Sequence, residues 1–282
     1  MIPRDKPSGS IENSAAQQEV VLSGVSKKFR RGSLALKDIS MHVDKREFVS
    51  LLGPSGCGKS TLLRLVSGLT TATEGTVSVM GKSPAEVREQ VSFIFQDATL
   101  LPWRTVEQNV GLGLELEHEK QATRKEKVAK MLELVGLTAV AERYPRQLSG
   151  GMKMRVSIAR ALASRPSMLL LDEPFAALDE MSRDRLNEEL LRLYSEQQWT
   201  VMFVTHSVAE AVFLSTRIVI LAPHPGRIAH VVPIDLPWPR TAETRLTMAY
   251  EEQVARVSRM LRSVQNASQN DFAGEAEQGG GA

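Results

Sequence analysis

One glycine-rich segment has the residue types and spacing of a phosphate-binding loop. It reads Gly53-Pro54-Ser55-Gly56-Cys57-Gly58-Lys59-Ser60 and fits G-x-x-x-x-G-K-[ST], after an apolar run at 48–52 and before a helical run at 61–66. Glycines let the backbone wrap closely around phosphate oxygens, and the start of the next helix adds its positive dipole end. We expect Lys59 to contact the β- and γ-phosphates and Ser60 to bind Mg²⁺, with Thr61 completing the site. The alternative, a glycine-rich turn without a ligand, does not explain the Lys-Ser pair.

Cys57, the single cysteine of the chain, lies inside this loop. One interpretation is a redox-sensing thiol, and the other is a small residue at a position where only the backbone matters. The second is favoured, although alkylation there would still block a nucleotide by its bulk.

Two adjacent acids, Asp172 and Glu173, follow a second apolar run at 168–171. A buried strand can deliver such acids to the sheet edge where phosphates bind. Asp172 is then placed to hold Mg²⁺ through its water shell, and Glu173 to orient and deprotonate an attacking water. The alternative is a solvated turn at the strand end, which the preceding phosphate loop makes less favourable.

A third motif lies between the loop and the acids. It reads Leu148-Ser149-Gly150-Gly151-Met152 and leads into a helical stretch at 153–163. On these motifs the sequence resembles the ATP-binding-cassette ATPases, whose signature reads LSGGQ, over roughly residues 20–221 in one continuous order. The resemblance implies ATP and Mg²⁺ as cofactors.

The resemblance also assigns residues outside these three motifs. Phe29 matches the aromatic residue that stacks on adenine, Gln96 the Q-loop glutamine, Ala177-Leu178-Asp179 the D-loop and His206 the switch histidine. It implies catalytic roles for Glu173, His206 and Gln96, a Mg²⁺ ligand role for Gln96, and nucleotide contact for Asp179. By its context alone, His206 could instead be a structural histidine at a strand end.

The Ser-Gly-Gly turn implies a homodimer. Ser149, Gly150 and Gly151 open a helix and offer a hydroxyl, N–H groups and a helix dipole to a phosphate. In the family, that phosphate belongs to the ATP held by the opposite subunit, so two ATP molecules join two copies. Taken without the resemblance, Ser149 is an ordinary helix N-cap.

Two positions depart from the family pattern. Met152 replaces the usual signature Gln, and we expect little loss because the backbone matters more there. Ser207 follows His206 where the family often has Asp, which leaves the local support of His206 open.

A stretch after Gln96 points to one branch of the family. Residues 97–110, which include Leu100, Leu101 and Trp103, together with 224–228 and 235–237, resemble the ATPases of nitrate, sulfonate and taurine importers. The resemblance implies integral membrane permease subunits as partners, a solute-binding protein as an indirect one, and a peripheral place at the cytoplasmic face of the membrane. An exposed apolar patch here suits a docked permease helix. Alternatively, these three side chains pack the chain's own helices.

Short apolar runs alternate with helical patterns and must position these motifs. The predicted strands are 48–52, 91–95, 168–171, 201–204 and 218–221. Such alternation predicts an α/β fold with a mostly parallel sheet. An amphipathic helix at 123–135, closed by Gly136, lies in a stretch poor in strand signals, so we expect an inserted helical subdomain at about 97–163. The resemblance adds a P-loop NTPase core and an antiparallel β subdomain.

Composition limits the function classes. The chain has 282 residues and a formal net charge of +2, which argues weakly against nucleic acid as the main partner. No window approaches the roughly 18 to 20 apolar residues of a membrane-spanning helix. Residues 1–18 are polar, without the apolar core of a signal peptide, and a lone cysteine cannot form an internal disulfide, so we expect a cytosolic protein.

The predicted domains are a disordered segment at 1–19, the ATPase domain at 20–235, a C-terminal helical extension at 236–264 and a disordered tail at 265–282. In the extension, an apolar pattern is formed by Leu246, Met248, Val254, Val257, Met260 and Leu261. We expect a short helix packed on the sheet.

Two other function classes share parts of this pattern. Soluble ABC ATPases that act on nucleic acid or ribosomes typically carry a long coiled-coil insertion or two cassettes, whereas this chain has one phosphate loop and a compact segment between Gln96 and Ser149. A GTPase or small-molecule kinase would leave the signature without a task, and no N-K-x-D motif is present. The sequence therefore predicts ATP hydrolysis coupled to transport.

Overall fold

Two sheets and a set of helices build the chain. The structure, a computed structural model, describes residues 17–29, 32–176 and 178–278, and side chains as far as residue 267. The strands are β1 (Gln18–Lys28), β2 (Leu34–Asp44), β3 (Phe48–Leu52), β4 (Glu74–Val79), β5 (Val91–Ile94), β6 (Met168–Asp172), β7 (Thr200–Val204), β8 (Arg217–Ala222) and β9 (Arg227–Pro233). The helices are α1 (Lys59–Val66), α2 (Val106–Val110), α3 (Leu112–Leu116), α4 (Gln121–Leu134), α5 (Gly150–Ala163), α6 (Glu180–Gln197), α7 (Val208–Leu214) and α8 (Met248–Gln278). Short 3₁₀ turns lie at Pro84–Gln90, Thr138–Val140, Pro145–Gln147 and Ala242–Leu246.

The larger sheet is mostly parallel. Its order is β5-β6-β7-β3-β8-β9, and β9 alone runs antiparallel to its neighbour. Every residue of β3, β6 and β7 is buried, as expected for central strands covered on both faces. The predicted α/β fold is confirmed, and the carboxyl ends of β3, β6 and β7 lie side by side.

The smaller sheet is antiparallel, with the order β2-β1-β4. Its inward side chains share one core with β3 and α1. This packing confirms the expected antiparallel subdomain and holds Phe29, the residue after β1, near the phosphate loop.

Helices α2 to α5 lie between β5 and β6, in the predicted insertion. They enclose a core of their own that includes Val110, Leu132 and Val156. The helix expected at 123–135 is α4, and Gly136 follows it with φ 67°, a conformation that suits glycine.

Both predicted disordered ends are partly ordered. Gln18 begins β1 because it pairs with Asp44 of β2, a tertiary contact that local composition does not show. At the other end, α8 continues to Gln278, because a helix already started adds one hydrogen bond per residue and no proline interrupts it. Residues 1–16 and 279–282 lie outside the described residues.

The C-terminal extension, residues 236–264, packs on the main core through most of the expected apolar side chains, but not through the first two. Leu246 and Met248 are 85% and 72% exposed. Of the other expected residues, Val257 is buried in the main core, and Val254, Met260 and Leu261 pack partly against it. Tyr250 and Val264, one heptad before and after Val257, are further buried contacts. Within the described part of the chain, no helix has the length and apolar character needed to cross a membrane.

An ion pair ties β8 to the turn between β2 and β3. Arg217 donates from Nε and Nη2 to the two carboxylate oxygens of Glu47, at 2.7 and 2.6 Å, and Nη2 also donates to the His42 carbonyl at 2.8 Å. Both side chains are mostly buried, so loss of one partner leaves the other poorly compensated.

We expect Arg217→Met to lower the free energy of unfolding by about 2 kcal/mol, because Glu47 loses a bidentate partner. Urea denaturation followed by circular dichroism measures the change. Lys130→Met, which breaks the exposed pair with Glu126, is the control and should leave the midpoint in place. Equal midpoints for both variants would contradict this account of Arg217.

Candidate ATP-hydrolysis site

The phosphate loop connects β3 to α1 and includes two positions that only glycine can occupy. Gly53 has φ 151°, and a Cβ there would lie 2.5 Å from the Leu221 carbonyl oxygen. Gly58 has φ 93°, and its Cβ would lie 2.5 Å from Leu36. The loop is therefore closely packed on its outer side, which keeps its curve in place.

Lys59 and Ser60, the first residues of α1, carry the polar groups of the loop. Lys59 is buried, and its ammonium donates to the carbonyls of Gly53 at 2.8 Å and Pro54 at 3.0 Å. Ser60 Oγ donates to Asp172 Oδ1 at 2.8 Å. A fixed cation within a curved loop suits phosphate oxygens.

Asp172 closes β6 and is almost fully buried. Burial raises the pKa of its carboxyl group, while the hydrogen bond from Ser60 acts in the opposite direction. A hydroxyl and a carboxylate are the hard oxygen ligands that Mg²⁺ prefers, and a nearby cation would offset the cost of burying this charge. These residues fit a magnesium ion.

Glu173 contacts residues that follow the two neighbouring strands. His206 Nε2 lies 2.6 Å from Glu173 Oε1, and Gln96 Nε2 donates to Oε2 at 3.3 Å. The Glu173 backbone has φ 51°, uncommon for a residue other than glycine, and its N–H donates to the Val204 carbonyl at 3.0 Å. A carboxylate that is held by two side chains and carried on a strained backbone is a candidate functional group.

These groups line one open cleft of about 500 Å³. It contains Phe29, Ser55, Gly56, Gly58, Lys59, Ser60, Thr61, Gln96, Glu173 and His206. The Phe29 ring is 44% exposed, with Lys27 Nζ 5.5 Å from its centroid, so a flat base could stack on it. A larger hollow of about 670 Å³ lies at the amino ends of β6 and β7 and holds none of the predicted site residues.

The signature and D-loop residues lie elsewhere on the surface. Ser149 caps α5, where its Oγ accepts from Met152 N at 3.3 Å, and Asp179 caps α6, where its carboxylate accepts from Ser182 N at 2.9 Å. That backbone hydrogen bond lowers the pKa of Asp179. The described residues that line the cleft do not include Ser149, Gly150, Gly151 or Asp179. Ala177 lies outside the described residues.

With this geometry in place, comparison with known proteins decides the family. The sequence profile of the ABC transporter family matches residues 36–176, half of the chain. The chain belongs to the ABC transporter family. It is an ATPase of that family, and the predicted resemblance is confirmed.

Relatives of this ABC ATPase include proteins that are named as ATP-binding proteins of importers. It is 43% identical to the aliphatic sulfonates import ATP-binding protein SsuB of Bacillus licheniformis, over 81% of this chain and 89% of the relative. It is 46% identical to the nitrate import ATP-binding protein NrtD of a Synechocystis species, over 74% of this chain and 79% of the relative. A solved ATP-binding cassette, dimeric in a post-hydrolysis state with ADP and Pi, matches with a TM-score of 0.72 and 32% identity, over 77% of this chain and all of that one.

Sequence reasoning missed two polar residues behind the cleft of the ABC ATPase. Thr205 donates its hydroxyl to the buried carboxylate of Glu210, and Ser207 N donates to the same hydroxyl at 3.0 Å. Burial raises the pKa of Glu210, and its hydrogen bond with Thr205 opposes that shift. The spacing of Ser207 and Glu210, S-x-x-E, is a capping-box pattern and was the available signal.

The two departures from the family pattern now have structural explanations. Ser207 caps α7, accepting from Glu210 N at 3.2 Å, and so fixes the backbone directly after His206. Met152 packs against the core of the helical subdomain. Also, His224 lines the cleft, although the sequence pointed to it only as part of a branch pattern.

The Leu-Leu-Pro-Trp stretch divides between core and surface. Leu100 packs partly against the helical subdomain, whereas Trp103 is 71% exposed. Asn109 holds this loop: it is fully buried, accepts from Leu101 N at 2.8 Å, and donates to carbonyls at 101, 104 and 105. Leu100 therefore packs against the chain's own helices, as one interpretation of the sequence expected, whereas the exposed Trp103 does not.

Cys57 is fully buried, and burial raises the pKa of its thiol despite the nearby Lys59 ammonium. A thiol that is both inaccessible and protonated is a poor redox sensor. The interpretation as a small loop residue is therefore the better one.

We expect the folded chain to react with a maleimide at pH 8 far more slowly than the chain in urea, because little accessible thiolate is present. Since Cys57 is the single cysteine, mass spectrometry of the whole chain reports on it alone. Equal labelling rates in buffer and urea would contradict the buried position of Cys57.

Proposed function

We propose that two copies of this chain enclose two ATP molecules and that hydrolysis drives a separate membrane permease. In this arrangement the phosphate loop of one copy and the signature of the other contact the same nucleotide. The transported solute is a small anion such as nitrate, a sulfonate or taurine, and the subunit sits at the cytoplasmic face of the membrane by binding its permease. A solute-binding protein would act indirectly, through the permease.

The position of the signature supports the dimer. Ser149 and Gly150 are exposed at the start of α5, and a Cβ at Gly150 would meet nothing within 4 Å in its own chain. Glycine is therefore not required there by internal packing, whereas a phosphate approaching the helix start needs free N–H groups and space. Because the signature does not line its own cleft, a second copy is the natural source of the nucleotide that it binds.

The cleft supports a division of roles in hydrolysis. Glu173 orients and deprotonates the attacking water, while His206 and Gln96 hold its carboxylate in place. Lys59 and the loop N–H groups contact the phosphates, and Phe29 stacks on the base. Ser60, Asp172 and Gln96 are the proposed ligands of Mg²⁺, which when bound neutralises phosphate charge. Asp179 lies beside the nucleotide of the opposite copy.

Trp103 supports the permease contact. A large exposed aromatic ring on a loop held by a buried Asn109 is suited to anchor a docked helix. The named functions of the sulfonate and nitrate relatives support import as the direction and small anions as the solute class.

We expect Glu173→Gln to bind Mg-ATP, to form a stable dimer and to lose turnover by at least about a hundredfold, because the amide cannot accept a proton. Size-exclusion chromatography with light scattering and a phosphate-release assay measure the two effects. Glu252→Gln, an exposed change on α8, is the matched control. A Glu173→Gln protein that remains monomeric in saturating Mg-ATP, or turns over at the wild-type rate, would overturn the proposal.

Lys59→Ala separates binding from hydrolysis. This variant removes the loop cation, so we expect it to lose both ATP affinity and the ATP-dependent dimer. Isothermal titration with a non-hydrolysable ATP analogue measures the affinity, and unchanged affinity would contradict the role of Lys59.

Trp103→Ala tests the permease contact. We expect basal ATPase activity of the isolated subunit to stay at the wild-type level, because Trp103 is not among the described residues that line the cleft, while solute-stimulated ATPase in the assembled complex falls strongly. Leu116→Ala, another exposed apolar side chain of the helical subdomain, is the control and should remain coupled. Normal coupling of Trp103→Ala in vesicles would remove this residue from the contact.

A further inference from the structure

Helix α7 is the direct support of His206. It spans Val208–Leu214, and its N-cap Ser207 is the residue after His206. Since a short helix moves as one body, a displacement of α7 displaces the imidazole that contacts Glu173 at 2.6 Å. Whatever fixes α7 therefore fixes part of the hydrolysis site.

Arg240, in the C-terminal extension, holds the far end of α7. It is buried, and its Nη1 donates to the carbonyls of Val212, Phe213 and Ser215 at 2.9 to 3.0 Å. Its guanidinium also stacks 4.5 Å from the ring centroid of Trp238. Burial lowers the pKa of Arg240 to about 10, so it stays charged at neutral pH. A cation on the last carbonyls stabilises a helix end.

Arg245 holds the side of α7. Its guanidinium lies 3.6 Å from the ring centroid of Phe213, on α7, and pairs with Asp184 of α6 at 3.2 Å. Its charge also acts on Glu210, which faces Arg183 of α6 at 3.5 Å and binds Thr205, the residue before His206. One arginine of the extension thus contacts both α7 and α6.

Tyr250, the third contact, reaches the start of α7. Its hydroxyl donates to the Ala209 carbonyl at 3.0 Å, and its ring is buried. The extension therefore touches the start, the side and the end of one short helix. Two of the three residues use buried or half-buried guanidinium groups, which bind in a fixed planar geometry.

We propose that the C-terminal extension is a clamp on α7, and that Arg240 and Arg245 are positioning residues that hold His206 against Glu173. The inference rests on the proposed role of His206 in hydrolysis. It gives residues 236–264 a function in ATP turnover: a signal that loosens the extension lowers the hydrolysis rate without touching the nucleotide.

Arg245→Met tests the clamp, because it keeps much of the apolar length over Phe213 and removes the charge and the planar fork. In the full-length protein we expect kcat to fall by at least about tenfold while the affinity for ATP is unchanged. Arg245→Lys, which retains the charge, should recover part of the rate. Arg259→Met, an exposed arginine on α8, is the matched control and should keep the wild-type kcat.

Histidine NMR gives the readout that a purely structural role would not move. The chain has five histidines, so ¹³C-labelled imidazole signals are few, and His206→Ala assigns the relevant one. We expect Arg245→Met to shift the His206 signal and to leave that of His42, on β2, in place. An unshifted His206 signal in Arg245→Met would overturn the clamp, and so would a wild-type kcat in that variant when His206→Ala itself slows hydrolysis.

Two further variants keep the test decisive. If Arg245→Met does not fold, Tyr250→Phe, which removes one hydroxyl, carries the test, and an unshifted His206 signal in that variant overturns the proposal. Should His206→Ala hydrolyse ATP at the wild-type rate, the catalytic role of His206 fails. The NMR shift in Arg245→Met still reports whether the clamp holds α7, so the two failures are distinguishable.

Discussion

The parallel pairing of β6 with β7 and of β7 with β3 is the constraint on which the site depends. Parallel strands end at the same edge of a sheet, so three segments that are remote in sequence deliver Lys59, Glu173 and His206 to one cleft. Each of these strands is buried on both faces, and a slip of one residue would exchange the side chains that pack in the two cores on either side of the sheet. The strand register that packs the core therefore also sets the positions of these three site residues.

Charges at this edge of the sheet are compensated unequally. The Lys59 ammonium donates to two loop carbonyls, whereas the buried Asp172 carboxylate accepts one hydrogen bond from Ser60, and burial raises its pKa. A site with one incompletely compensated carboxylate and one hydroxyl side by side is matched to a divalent cation. Ser60 and Asp172 therefore fit the divalent cation that the proposed Mg-ATP would supply.

Local patterns predicted much of this arrangement. The β3 run, the glycine loop and the α4 periodicity are each specified by neighbouring residues, so strand, loop and helix could be predicted from the sequence. The start of β1 depends on its pairing with β2, a partner from another segment. In the extension, the predicted Val257 is buried, whereas Leu246 and Met248, which belong to the same apolar pattern, are exposed. Periodicity shows that a helix has an apolar face, but not which residues find a surface to cover.

The roles of the individual site residues rest on geometry and on the proposed dimer rather than on the chain alone. The space beside Gly150 is open within its own chain, so in the proposed dimer this surface is free to contact the nucleotide of the second copy, and one copy alone forms only part of the site. Hydrolysis by free subunits would then be second order in protein, slow when copies are dilute. Two copies bound to one permease would have a high effective concentration. ATP would then be hydrolysed mainly by assembled transporters, and free subunits would hydrolyse little.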